Sequence, residues 1–401
     1  MMKKISLLFL TLLIVLTGCL NDNSLEKEEE VVKKKGKKEE KAIITGEIKT
    51  GENYYRSIFP FEPGGARGLI RYGVDNRLDI NEFEMGLMRV AQEKFSTDKY
   101  FFQEGQYLTE STVNNWLKRD DGKKEKLESG EMSQRGMNPP LGMDENSTDV
   151  KAVLKANEDN PKYLSYVLEH NYLVQSGEGK VKLGGLVIGL SFNSTYYFKA
   201  EDKERKIHPG EKKLDKDKVK QEAAKIAEKV AERLRTQKGL EDVPMLIALY
   251  QEEERDAVVP GHFFAVGTVS KGSGSINDWD QIDEKYYLFP SGAASKNKRN
   301  DFESFTNFKT EIQKYFPNYI GVIGNGLYVD GELKRLTIQI PVQFRGKAEI
   351  ISFTQFVTTR ALEKLPDVPI EIYIQSAVEQ PEALIVKNEG QEEPFVHIYR
   401  K

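Results

Sequence analysis

Two octapeptides of this chain match each other across 125 residues, and this match constrains the fold more than any other feature. Residues 240–247 read LEDVPMLI and residues 365–372 read LPDVPIEI, so six of the eight positions are identical or similar. Each copy follows a helical pattern and enters an apolar strand through proline, and a second proline and a second apolar strand come after it. Such a recurrence is typical of internal duplication. The sequence therefore predicts two related units in tandem.

Segments upstream of the octapeptides extend the match. EKFSTDKYFFQEGQYL (93–108) parallels QKYFPNYIGVIGNGLYV (313–329), and LVIGL (186–190) parallels LTIQI (336–340). We therefore predict an α+β fold of two tandem related repeats with mostly antiparallel sheet. Each repeat would run helix, hairpin, strand, helix, strand, strand. Chance sharing of strand and turn chemistry by two α+β domains is the alternative.

The repeat sets the predicted domain boundaries. Residues 51–271 would form the first repeat, with a large insertion at 109–180 between its hairpin and its next strand. Residues 272–401 would form the second repeat, and KGSGS (271–275) would link the two. Within the insertion, PKYLSYVLEHNYL (161–173) predicts a helix, because proline is favoured at the first helical position.

Hydrophobic periodicity predicts further helices and strands along the chain. Apolar residues at helical spacing predict helices within 80–95 and 110–119. Residues 181–198 are predicted to be extended, with a turn at Gly184–Gly185.

The only cysteine of the chain, Cys19, follows a short apolar run. Lys3 and Lys4 precede the apolar stretch 5–16, whose roughly 12 residues fall short of the ~20 that a membrane-spanning helix needs. This layout is typical of a secretory signal peptide. LTGC (16–19) resembles the bacterial lipobox, in which the cysteine thiol receives a diacylglyceryl group before the chain is cleaved in front of it.

The lipobox resemblance implies that residues 1–18 form a lipoprotein signal peptide, cleaved between Gly18 and Cys19. Cys19 would be the lipid attachment site, and two acyl chains provide the stable anchoring that one chain does not. The mature protein is then expected at the cell membrane, lipid-anchored and facing outward, with the membrane as its partner through the lipidated N-terminus. An uncleaved N-terminal anchor and an ordinary cleaved signal are the alternatives.

Residues 19–50 are dominated by Glu and Lys, and their low hydrophobicity predicts a charged flexible tether. Over the whole chain Asp and Glu number 63 against 59 Lys and Arg, which argues against a nucleic-acid partner.

Motifs for catalysis and metal binding are missing from the sequence. No H-E-x-x-H or G-x-S-x-G pattern occurs, and the four histidines are dispersed: His170, His208, His262 and His397. The S-x-x-K match at Ser295–Lys298 is placed in a polar loop, where it carries no acyl-transfer signal. We therefore predict no catalytic residue, no metal and no cofactor.

Carboxylates and aromatic residues cluster in Asp75–Glu84 and in Asp98–Tyr107. These clusters could line a groove, although a solvated helix face explains the same pattern.

Several longer segments resemble one known family. They are YRSIFPF (55–61), ARGL (66–69), FSTDKYFFQEGQYL (95–108), GMNP (136–139), PKYLSYVLE (161–169), SINDWDQI (275–282) and VHIY (396–399). Together they resemble the CamS family, the sex pheromone precursor lipoproteins of Gram-positive bacteria, over nearly the whole mature chain. The resemblance implies a surface lipoprotein with two related α+β repeats. It also implies that the signal peptide is processed to a short apolar peptide that acts on plasmid-bearing enterococci.

The candidate pheromone segment is the end of the signal peptide. It comprises Leu12, Leu13, Ile14, Val15, Leu16, Thr17 and Gly18. The implied partner of this peptide is a peptide receptor on responder cells.

For the mature body, the sequence favours a non-catalytic binding module of unknown ligand. The alternative is an extracytoplasmic solute-binding lipoprotein that delivers a ligand to a transporter, which an apolar cleft between the two halves would favour. A cell-envelope enzyme is a third reading, and no catalytic constellation supports it.

Overall fold

The computed structural model describes residues 29–35, 38–46, 54–70, 73–126, 132–134, 136–177, 179–315, 321–343, 346–376 and 380–400. These residues form two large sheets covered by helices, with two small hairpins beside them. The predicted class, α+β with mostly antiparallel sheet, is confirmed. No helix within the described ranges is both long enough and apolar enough to cross a membrane.

The strands are β1 (Glu29–Lys35), β2 (Lys38–Ile44), β3 (Ile58–Phe59), β4 (Tyr100–Glu104), β5 (Lys124–Lys126), β6 (Met132–Gln134), β7 (Leu164–Ser176), β8 (Lys180–Phe192), β9 (Thr195–Glu201), β10 (Ile207–Lys213), β11 (Met245–Gln251), β12 (His262–Val269), β13 (Asp278–Gln281), β14 (Glu284–Phe289), β15 (Ile323–Val329), β16 (Glu332–Val342), β17 (Ile370–Ser376), β18 (Pro381–Lys387) and β19 (Phe395–Ile398). The helices are α1 (Arg77–Ala91), α2 (Glu110–Trp116), α3 (Val150–Asp159), α4 (Lys216–Arg235), α5 (Gly292–Asn297), α6 (Arg299–Lys314) and α7 (Lys347–Lys364).

The two large sheets share a connectivity. In the first, the hairpin β7–β8 is followed by the separate small hairpin β9–β10, by α4, by β11 parallel to β8, and then by antiparallel β12 and β13. In the second, the hairpin β15–β16 is followed by α7, by β17 parallel to β16, and then by antiparallel β18 and β19. The matched octapeptides lead into β11 and β17, which occupy equivalent positions. A common origin of the two sheets stays a prediction.

The proposed repeats differ from the structure in three places. The insertion 109–180 contains β7, which pairs with β8 along almost its whole length and belongs to the sheet. The structure has only the strand β4 where 93–108 was matched to a hairpin. KGSGS (271–275) turns the chain from β12 into β13, so the first sheet continues to Gln281 rather than ending at 271.

The predicted helix at 161–173 is wrong, because this stretch is the strand β7. Nearly every residue from Leu164 to Leu173 is buried, so the two-residue alternation that marks a half-exposed strand is hidden. The predicted turn at Gly184–Gly185 is also wrong, because β8 passes through both glycines. A Cβ at Gly185 would lie 2.3 Å from the Phe95 ring, so glycine makes room for that ring.

The predicted flexible tether differs from the structure over 29–44, where β1 and β2 form an antiparallel hairpin. Its sparse apolar side chains, Val31, Ala42 and Ile44, are buried against the first sheet. These contacts are nonlocal, which is why local composition predicted no order there.

An ionic cluster joins the first core to the second. Arg89 of α1 donates to Glu82 at 2.7 Å and to both carboxylate oxygens of Glu284 on β14 at 3.0 Å. Arg335 of β16 lies 3.6 Å from Glu82 and donates to the Tyr286 hydroxyl at 3.2 Å. The side chains of Glu82 and Glu284 are only 7% and 4% exposed, so the cluster links the sheets through buried charge.

Candidate functional site

A cavity of about 190 Å³ lies beside the end of β4 and the first half of β7, next to α1. Its wall is mostly apolar, and the more exposed charged side chains of Arg67, Glu84 and Glu104 form its mouth. The apolar wall is formed by Ile70, Met88, Phe102, Leu108 and Val167. We call it the β4–β7 cavity.

The pairing of β4 with β7 places the central side chains of the cavity. Glu104 lies opposite His170 in this antiparallel ladder, and Phe102 lies opposite Tyr172. Side chains two residues apart on a strand share a face, so Phe102 and Glu104 point to the same side. The Phe102 and His170 rings meet nearly at right angles, with centroids 5.0 Å apart.

Glu169 fixes the loop that follows β4. Its carboxylate accepts hydrogen bonds from the backbone N–H groups of Gln106 at 3.0 Å, Tyr107 at 3.1 Å and Leu108 at 2.6 Å. Burial raises the pKa of Glu169 to about 7, although these N–H donors lower it. A Cβ at Gly105 would lie 2.5 Å from Glu169 Cβ, so the close approach requires glycine.

A glycine-rich segment forms the opposite rim. Gly65 N–H donates to the Gly105 carbonyl at 3.2 Å, and Gly64 N–H donates to Glu104 Oε2 at 2.6 Å. Arg67 approaches the other oxygen of Glu104, with Nε 3.5 Å from Oε1. The segment therefore ties the mouth of the cavity to the end of β4.

The helix α1 contributes Glu84 at the mouth and Met88 one turn further along. Glu84 is an exposed residue, but partial desolvation at the cavity mouth raises its pKa; the charge of Glu104 raises the pKa further, and Arg67 lowers it. Two carboxylates and one guanidinium thus share the entrance.

His170 is a buried polar side chain on the cavity wall. It is 4% exposed, and its Nδ1 atom has no hydrogen-bond partner among the described residues. Burial lowers the pKa of His170 to about 3, so the ring is neutral near neutral pH. A neutral imidazole carries one nitrogen that accepts hydrogen bonds.

The structure separates the two carboxylate clusters of the sequence analysis into different roles. Glu84 and Glu104 line the cavity together, as the groove interpretation expected. Asp79 is instead buried elsewhere and accepts a hydrogen bond from the Tyr250 hydroxyl at 2.7 Å. Glu82 belongs to the ionic cluster. Sequence reasoning missed Glu169 as a site residue, although a charged side chain within an apolar run is a signal that could have identified it.

The other sequence candidates lie away from this cavity. His208 pairs with Asp202 at 2.9 Å, and Ser295 lies in α5 rather than in the polar loop that was predicted. In the part of the chain that the structure describes, no three His, Cys, Asp or Glu side chains are grouped to hold a metal ion. Cys19 and the candidate pheromone segment 12–18 lie outside the described residues.

The fold and cavity define a two-sheet α+β protein with a small pocket in its first sheet unit. A family model described as "CamS sex pheromone cAM373 precursor" matches residues 61–393. The chain belongs to the CamS sex pheromone precursor family.

Two solved structures are similar to this chain. One is a sex pheromone precursor from Lactobacillus salivarius subsp. salivarius UCC118, at 31% identity and a TM-score of 0.74, covering 88% of this chain and 98% of that one. Another is the C-terminal domain of the sex pheromone staph-cAM373 precursor from Staphylococcus aureus, at 31% identity and a TM-score of 0.67, covering 83% of this chain and 100% of that one. No curated protein matches the chain.

Proposed function

We propose that this protein is a cell-surface lipoprotein whose cleaved signal peptide yields a short apolar peptide pheromone. The observation that carries the proposal is the run LLIVLTGC (12–19), in which the lipobox and the candidate peptide share residues. Membership of the CamS family supports the role of a pheromone precursor. Residues 1–18 are removed in this account, Cys19 carries the lipid, and the body faces outward from the cell membrane.

The candidate peptide has the chemistry that this role requires. Residues 12–18 have no charged side chain and five large apolar ones. The transfer of such a peptide from water into apolar surroundings is favoured by about 0.8 kcal/mol of free energy for each CH₂ that is buried. After a second cut, its two termini hold the only charges that can fix its orientation in a hydrophobic receptor pocket. A single side chain in such a pocket changes recognition by ~1–3 kcal/mol.

The body is, in this proposal, a non-catalytic binding module whose ligand enters the β4–β7 cavity. An apolar wall with a few placed polar groups is the usual composition of a small-molecule site. The Glu169 carboxylate is occupied by three backbone N–H groups, which argues against a role as acid or base. The cavity lies within residues 64–170 rather than between the two sheets, so it does not favour the solute-binding alternative.

Replacing Cys19 by alanine is expected to abolish incorporation of labelled palmitate, because the thiolate is the nucleophile that forms the thioether bond. The unaltered protein should carry the label and partition into the detergent phase, and Cys19→Ala should do neither. Thr17→Ala keeps a small residue before Gly18 and serves as the matched control, which should be labelled. If Cys19→Ala still takes up label and stays in the detergent phase, a different anchor is present and the lipoprotein proposal is wrong.

Synthetic LLIVLTG and TLLIVLTG, residues 12–18 and 11–18, are expected to elicit a response from plasmid-bearing enterococcal cells. A scrambled peptide of the same composition has the same partitioning but a different order of side chains, so it should give no response. An equal response to the scrambled peptide, or none to either natural sequence, would argue against a specific pheromone.

A further inference from the structure

We propose that the β4–β7 cavity binds a small organic cation, an ammonium or guanidinium group carried on an apolar body. The inference deepens the proposed binding role of the body and rests on it. Four observations support it: the charge at the mouth, the apolar wall, the buried imidazole and the volume.

The mouth carries an excess of negative charge. Glu84 and Glu104 both line it, and their mutual repulsion contributes to the raised pKa of Glu84. Arg67 is the cation that pairs with Glu104, and its side chain is 60% exposed. Within the described part of the chain, no cation forms an ion pair with Glu84. A cationic ligand between these two carboxylates would relieve their repulsion, because opposite charges within about 4–6 Å favour the ionised forms.

The wall behind the mouth suits an apolar body with a positive end. Ile70, Leu108 and Val167 offer aliphatic surface, and Phe102 and Tyr166 offer aromatic rings. A cation over an aromatic face is attracted by the negative charge of the ring face, more strongly when it is desolvated. An anionic ligand would meet the same rings and the two carboxylates unfavourably.

His170 supplies the observation that is independent of the acidic pair. Its imidazole lines the cavity, and its Nδ1 atom is buried with no partner among the described residues. Buried polar atoms in native proteins nearly always have a partner, so an orphaned one calls for an explanation. Because Nδ1 is sealed from the cavity in this conformation, an N–H group of a bound ammonium or guanidinium would reach it only after the ring turns, and the neutral nitrogen would then accept the hydrogen bond.

The volume sets the size of the ligand. A cavity of about 190 Å³ lies below the ~300–1,000 Å³ of sites for drug-sized ligands and somewhat above the 150 Å³ of a cavity that holds benzene. It therefore suits one ring or one amino-acid side chain. Phenethylamine, a cation, has this size. Two compounds of similar size carry the same phenyl ring but a different end group: 2-phenylethanol is neutral and phenylacetate is an anion.

The test is calorimetric titration of the chain from residue 20 onward, which contains every residue that the structure describes. Phenethylamine is expected to bind at least tenfold more tightly than 2-phenylethanol, and phenylacetate is expected to bind least. Glu84→Gln and Glu104→Gln should each weaken phenethylamine binding by roughly three- to tenfold. Glu158→Gln changes an exposed carboxylate on α3, outside the cavity, and should have no effect.

Glu84 lies on the exposed side of α1, so Glu84→Gln should fold normally and keep the test interpretable. Equal binding of phenethylamine and 2-phenylethanol, or tighter binding of phenylacetate, would overturn the cation assignment while leaving a binding role for the body. No response to any of the three compounds would overturn the inference. Neither result bears on lipidation at Cys19, which the labelling experiment tests separately.

Discussion

Arg89→Met is expected to lower the free energy of unfolding by about 3–5 kcal/mol at pH 7.5, because it leaves two buried carboxylates without their main partner. Arg89 contacts Glu82 and both oxygens of Glu284, and the two acids are almost completely buried. Burial alone would lower the pKa of Arg89, but the two carboxylates raise it above its usual range. Methionine retains much of the apolar volume, so the loss reports mainly on charge.

The loss of unfolding free energy caused by Arg89→Met should become smaller as the pH is lowered. An unpaired buried carboxyl has a raised pKa in the folded state, so the folded state binds more protons than the unfolded state and gains stability as pH falls. Urea unfolding of the chain from residue 20 onward, at pH 7.5 and pH 5, measures both effects.

The matched control for Arg89→Met is Arg299→Met. Arg299 is 81% exposed and forms an i,i+4 pair with Glu303, so its loss should cost no more than about 0.5 kcal/mol. If Arg89→Met costs as little as Arg299→Met, the cluster does not stabilise the contact between the sheets. The double variant Arg89→Met/Glu284→Gln should recover part of the loss, since it removes one of the orphaned charges.

Glu169→Ala is expected to lower the free energy of unfolding by about 3 kcal/mol or more. The change removes the acceptor for the N–H groups of Gln106, Tyr107 and Leu108, and a buried donor without a partner costs about 1–3 kcal/mol. The loop beside the cavity would lose its fixed position. Phenethylamine binding should therefore weaken together with stability.

The raised pKa of Glu169 determines how the stability loss of Glu169→Ala changes with pH. The pKa of Glu169 is about 7 in the folded protein, against an ordinary value of 4.5. Between these values the folded state binds more protons than the unfolded state, so the stability contributed by Glu169 falls as pH rises. The cost of Glu169→Ala should be larger at pH 5 than at pH 8.

The difference in unfolding free energy between the unaltered chain and Glu169→Ala reports on the Glu169 carboxyl, because His170 is present in both proteins. Urea unfolding at the two pH values gives the comparison, with Glu158→Ala as an exposed-site control. A cost that increases towards pH 8 would contradict the raised pKa.

The paired sheets could be predicted from the sequence because their signals are local. Proline before an apolar run marks the entry to β11 and β17, and the helical periodicity of 80–95 gave most of α1. The strand β7 could not be predicted in this way. It is buried on both faces, and Pro161 is equally compatible with a helix start and with the irregular segment that precedes this strand.

The candidate site was predicted only in part, since its geometry is nonlocal. Glu84 and Glu104 stand out in sequence as members of acidic clusters, but only the packing of α1 over the β4–β7 pair brings them to one cavity. The Glu-His pair within LSYVLEHNYLV (164–174) was a further signal, because polar side chains inside an apolar run are usually hydrogen-bonded or functional.

Release of the signal-derived peptide is tested most directly by mass spectrometry of the medium from cells that produce this protein. We predict LLIVLTG or TLLIVLTG, ending at Gly18, in the medium of cells with the unaltered sequence. Cells with Cys19→Ala should release neither peptide, because in the proposed pathway Cys19 is lipidated before the chain is cleaved in front of it. A mature protein that is lipidated at Cys19, with no peptide ending at Gly18 in the medium, would contradict the pheromone function of this chain.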